Sequence, residues 1–251
     1  MKTKTEDHHH ILVLGATGTF GLILIQFIHN LGHTLTLYMC GQSNLPESIV
    51  SSECVEVIQG ELSDVDGLEI AASCGADVFI CVAVPTWGRP EGKPITKDLH
   101  KLYPLLLAAG TYKRLFFLTA PFFPAPEDGF CLKWFIIKNG LGRTLGGDTY
   151  KETRGMAQET INLGKKIKWT VIRVPNLCRE RPSKKFFRDT NEKANVCFAG
   201  DFKFRNKLHL GRVSLAMWIM RELEEEQWIG LCPLVNDSSL KLSTVTKKIS
   251  P

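Results

Sequence analysis

The sequence predicts an α/β fold built on a doubly wound parallel sheet. Three observations carry that prediction. Strand-like runs alternate with helix-like segments from Ile11 to Ala120. The strand runs are almost wholly apolar, the pattern of strands buried on both faces. A glycine-rich turn, "GATGTFG" over residues 15–21, joins the first strand to the first helix.

Taken in order, "ILVLG" (11–15) is the first strand, and the helix over 19–31 stops at Gly32. "TLTLYM" (34–39) is the second strand and "CVEVIQG" (54–60) the third. A helix follows over 63–74, with Ser63 as its N-cap. "ADVFICVAV" (76–84) is the fourth strand, and the helix over 96–110 contains Pro104, which should kink or shift it. "KRLFFLTA" (113–120) is the fifth strand, 150–163 a helix, and "KWTVIRVP" (168–175) the sixth strand. Beyond it the pattern weakens until a helix at 212–226 and a short strand in "LCPLV" (231–235). With no internal repeat and no low-complexity linker, one domain is expected. Its parts are a first half over 11–120, a second half over 121–236 and a tail over 237–251.

The composition of the 251 residues, 44% hydrophobic and 23% charged, is that of a soluble globular protein. The formal net charge of +5 has its local counterpart in residues 179–207, with nine Lys/Arg against four Asp/Glu. This reads as a solvated loop; no recognition helix or RNA-binding signature accompanies it, so no nucleic-acid partner is expected. The eight cysteines form no CxxC pair, which speaks against a zinc ribbon and for a reducing compartment. The histidines at 8–10 read as a polar lead-in to the first strand, and no metal site is expected. No signal-peptide core or membrane-length apolar run is present, so the cytoplasm is the expected location and no membrane partner is expected.

The glycine turn has a physical reading. Gly15 permits the tight turn off the strand, Gly18 lets backbone N–H groups approach a pyrophosphate, and Gly21 lets the helix pack near the sheet. A dinucleotide is therefore the expected ligand, held by Gly15, Thr17, Gly18, Thr19, Phe20 and Gly21. The fold is then Rossmann-like, a single domain with a small C-terminal elaboration on the substrate side. The segments at 85–95 and 121–135 should line that side, and Trp87, Phe122, Phe123, Phe130 and Trp134 suit a small, largely apolar molecule. The same aromatics would equally close a core beneath long loops.

The spacing of the turn resembles that of the short-chain dehydrogenase superfamily in its atypical branch, which includes the NmrA-like proteins. The stretches "LTLYMCGQSNLP", "PEDGFCLK", "TYKE" and "LGRVSLAMWIMRELEEEQWI" are similar to those of small fungal NmrA-like NAD(P)-binding proteins. The resemblance implies NADP or NAD as cofactor, with NADP slightly preferred, and further contacts from Leu62, Val82 and Pro175. It puts Cys40 where the family has an Arg for the 2′-phosphate and Asn44 where it has a Lys, leaving Ser43 as a neutral contact. It also implies a catalytic set of Thr119, Tyr150 and a cation. Arg154 stands four residues after Tyr150, where a Lys is usual, and Lys151 is adjacent. The expected activity is NAD(P)-dependent reduction of a small apolar carbonyl or enone, such as a secondary-metabolite intermediate. A non-redox isomerase or cyclase and a nucleotide-sensing regulator are the alternatives.

Overall fold

The computed structural model of the protein describes residues 7–40, 45–83, 95–121, 123–130, 147–178, 194–197 and 209–237. Of residues 147–150, 176, 178, 194–197, 209 and 237, only the backbone is described. The elements run β1 (His10–Leu14), α1 (Thr19–Asn30), β2 (Thr34–Met39), α2 (Glu47–Val50), β3 (Val55–Gln59) and α3 (Val65–Ala72). They continue with β4 (Val78–Cys81), α4 (Ile95–Ala109), β5 (Arg114–Thr119), α5 (Gly147–Asn162), β6 (Lys168–Arg173) and β7 (Asn176–Cys178). β8 (Ala194–Cys197), β9 (His209–Gly211), α6 (Arg212–Glu225) and β10 (Leu234–Asp237) complete them.

The main sheet has the order β3-β2-β1-β4-β5-β6-β10-β8. Seven strands run parallel, and β8 pairs antiparallel with β10 at the edge. The reversal between β1 and β4 makes the crevice at the carboxyl ends of the strands the place where this architecture binds ligands. β7 and β9 form a separate parallel pair.

The near-continuous apolar strands have the expected consequence, because their alternate residues feed two cores. Ile11, Val13, Leu35, Leu37, Phe116 and Ile172 pack with α1 and α6 on one face. Leu12, Leu14, Phe79, Phe117 and Val171 pack with α3, α4 and α5 on the other. Each such Leu, Ile or Phe side chain contributes about 1.5–3 kcal/mol on burial.

Three local expectations need correction or refinement. The N-cap of α3 is Asp64 rather than Ser63, since Asp64 Oδ1 accepts from the Gly67 N–H at 3.1 Å while the Ser63 hydroxyl donates to Glu61. Pro104 lies within α4 without ending it. The carbonyl it deprives of a partner belongs to His100, whose side chain is exposed, so water can satisfy it. The polar lead-in is a set of ties. His9 Nδ1 lies 2.7 Å from Asp77, the His10 N–H donates to Asp77, and the His10 ring meets the Thr36 hydroxyl at 2.8 Å.

Cys40, Cys54, Cys74, Cys81 and Cys232 are free thiols, and burial pushes Cys81 and Cys232 up to about 12. Among the described residues no helix is long and apolar enough to cross a membrane.

Candidate functional site

β1 ends in the glycine turn. Gly15 has φ +92°, a conformation that disfavours any side chain, and a Cβ there would lie 2.5 Å from the Ala83 nitrogen. A Cβ on Gly21 would collide with the Gly15 carbonyl, so α1 approaches the turn only because that position is bare. Gly18 differs: its φ is −68° and a Cβ would meet only the Gly15 oxygen, at 3.5 Å. Nothing among the described residues requires a glycine there. The space is left on the solvent side.

Gly18 caps α1 with no side-chain acceptor, and the first turn carries no acidic residue. The free N–H groups and the positive end of the helix dipole therefore face outward between exposed Thr17 and Thr19. Such a terminus fits a pyrophosphate.

The remaining predicted cofactor residues divide by burial. The side chain of Phe20 is packed in the core, so only its backbone N–H is offered to a ligand at the helix start. Val82 is buried directly behind Gly15, Pro175 is buried after β6, and Leu62 is half-buried in the turn after β3. Cys40 is exposed at the end of β2. Ser43 and Asn44 lie outside the described residues.

On the substrate side, Thr119 ends β5 and is 3% exposed; its hydroxyl donates to the Thr153 carbonyl of α5 at 3.4 Å. Strand end and helix are thus brought together at the residue before Arg154. Lys151 and Arg154 are exposed, and Tyr150 falls in the first turn of α5, where the backbone alone is described. Phe123 is 2% exposed and belongs to the core with Phe117, Trp169 and Cys232, the alternative its composition left open. Phe130 is 85% exposed. Trp87, Phe122 and Trp134 lie outside the described residues.

The sequence reading passed over Arg173. It ends β6 in register with Thr119 and is fully buried. Its Nε donates to the Cys232 carbonyl at 2.8 Å, and its Nη1 donates to the Phe123 carbonyl and to Asp128 Oδ2, the latter at 2.8 Å. These bonds fasten the segment after β5 to the carboxyl edge. Beside them Glu127 is held above the usual carboxylate range by burial, with Arg173 pulling the other way. The signal was available: an arginine inside the apolar run "WTVIRV" must find partners.

No protein-family model and no curated protein matches the chain. Solved structures do match its architecture. A wide-type short-chain dehydrogenase/reductase from Veillonella parvula, in complex with NADP, aligns with TM-score 0.68 at 16% identity over 93% of this chain and 96% of that one. The fold is Rossmann-like, shared with NAD(P)-binding short-chain dehydrogenases/reductases. ChuY, an anaerobillin reductase from Escherichia coli, aligns with TM-score 0.65 at 13% identity over 93% and 100% of the two chains. WbmG from Bordetella bronchiseptica, in complex with NAD, gives 0.62 at 15% identity over 93% and 74%.

Proposed function

We propose that this chain binds NADP(H) or NAD(H) along the carboxyl edge of its sheet and reduces a small, largely apolar carbonyl or enone. The observation that carries the reading is the bare N-terminus of α1. It has no capping side chain and no acid, and it follows a Gly15 that only glycine satisfies. Neighbours of the same architecture bound to NADP and to NAD support it. The stretches similar to small NmrA-like proteins support an atypical short-chain reductase, with a secondary-metabolite intermediate as its class of substrate.

When bound, the cofactor supplies or accepts a hydride. The chain's own residues do the rest. Tyr150 donates the proton that the carbonyl oxygen needs, at the start of α5. Thr119 orients that oxygen by turning its hydroxyl from the Thr153 carbonyl to the substrate. Arg154 supplies the positive charge that favours the ionised phenol, through a planar guanidinium rather than a compact ammonium. The neutral Cys40 leaves the choice between NAD and NADP relaxed.

A second reading, a non-redox enzyme on the same fold, is favoured by one contact: the Thr119 hydroxyl already donates to a backbone carbonyl. Mass spectrometry of the denatured protein from cells identifies any retained nicotinamide cofactor. Absorbance at the reduced nicotinamide band then reports turnover. A retained cofactor with hydride transfer supports the first reading; conversion of substrate without absorbance change supports the second. Absence of binding by either cofactor at millimolar concentration to folded protein would sink the first.

A further inference from the structure

The phenol of Tyr38 lies beneath the turn that follows β3. Tyr38 is in register with Leu14, the residue before the glycine turn, on one side and with Ile58 on the other. Its side chain is 2% exposed, and its hydroxyl donates to the Glu61 carbonyl at 2.8 Å. The same carbonyl accepts the Asp64 N–H at 2.9 Å, and Asp64 caps α3 through the Gly67 N–H. One phenol thus anchors the whole turn from Gly60 to Asp64.

Two glycines are shaped around it. A Cβ on Gly60 would strike the Tyr38 hydroxyl, and a Cβ on Gly67 would come within 2.9 Å of it and 2.6 Å of Asp64 Oδ2. Both have ordinary backbone angles for any residue, since neither is among the glycines of positive φ. Their bareness is therefore explained by the side chains around them, the phenol at Gly60 and the Asp64 carboxylate with the phenol at Gly67, rather than by the backbone. Burial pushes the Tyr38 hydroxyl up to about 12, so it remains a donor at every working pH.

The place of this turn gives the device its meaning. β1, β2 and β3 lie side by side in the sheet, so beyond a pyrophosphate at the start of α1 and a ribose at the end of β2 the carboxyl-end crevice continues over the turn after β3, where an adenine would come to rest. We propose that Tyr38 is a positioning residue for the adenosine half of the cofactor, setting the height of the Gly60–Asp64 turn on which the adenine rests. The proposal depends on the dinucleotide reading above.

Tyr38→Phe keeps the ring and removes only the bond to Glu61. It should weaken NADPH and NADH together by up to roughly tenfold, because binding must then order a turn that the lost bond no longer holds in place. It should weaken 5′-AMP, used as competitor, by the same factor. The emission maximum of reduced nicotinamide at saturation should not move, because that half of the cofactor binds elsewhere. Gly60→Ala, which pushes the hydroxyl aside, should reproduce the split.

Unchanged affinity of both variants for 5′-AMP and NADPH would overturn the positioning role alone. So would a loss accompanied by shifted nicotinamide emission, which marks a general loosening of the fold. If the wild-type protein binds neither dinucleotide, the underlying reading falls and takes this role with it.

Discussion

Cys40 lies exposed just after β2, and the proposed reading puts it beside the 2′-phosphate of NADP. A charge-assisted bond to phosphate is worth about 1.5–3 kcal/mol. Cys40→Arg should therefore raise the NADP-to-NAD affinity ratio by roughly tenfold or more, read by calorimetric titration of both cofactors. An unchanged ratio would mean that the end of β2 does not face the ribose. Tyr150 supports a sharper expectation. Tyr150→Phe should lower turnover at least ~100-fold, the lower range for a general acid, with cofactor affinity nearly unaltered. Full activity in that variant would move the proton donor elsewhere. At this scale the sequence disclosed residues whose constraint is local, such as Gly15, which needs its backbone angle wherever the chain folds. It hid Tyr38 and Arg173, whose roles arise from partners distant in sequence, Glu61 and Asp128.

Between β5 and α6 stands a buried ion pair. Arg114 Nη2 is 3.0 Å from Glu222 Oε1, and both side chains are 2% exposed. Thr170 accepts a further bond from Arg114 at 2.6 Å, while Arg114 Nε and Nη1 have no hydrogen-bond partner among the described residues. Burial holds Arg114 down at about 10 and raises Glu222, so desolvation outweighs the attraction on both sides. Glu222→Leu alone should cost about 3–5 kcal/mol by leaving the guanidinium unpaired. Adding Arg114→Met should restore part of that loss. The Trp228 and Gln227 N–H groups, which Glu222 also serves, lose that acceptor in both variants, so the restoration is incomplete. Urea denaturation of the single and double variants measures this; strict additivity of the two changes would exclude the coupling. Element boundaries were legible where burial alone sets them, as in β5 and α6. They were misjudged at α3, because Ser63 and Asp64 are equally good caps by type and only the geometry chooses.

The parallel, doubly wound sheet followed from the alternation of apolar strand runs with helices, because strands buried on both faces need helices to cover each side. The short β7, β8 and β9 were not legible, since three or four residues carry no periodicity and depend on the body they join. A ligand that binds the folded carboxyl edge stabilises the whole molecule by mass action, about 2.7 kcal/mol at a hundredfold excess over its dissociation constant. NADPH or NADH should therefore raise the melting temperature in calorimetry, in step with its measured affinity. No shift at saturating cofactor would contradict binding to the native state.

β10 lies between β6 and β8 although it comes last of the three along the chain. During synthesis β8 therefore emerges before the neighbour it pairs with, and Arg173 leaves the ribosome before the Cys232 carbonyl that it will bind. The edge of β6 must wait open, with Arg173 Nε short of its acceptor, until the residues from Leu231 onward arrive. Translation thus completes this sheet from the inside, and the final strand acts as its keystone.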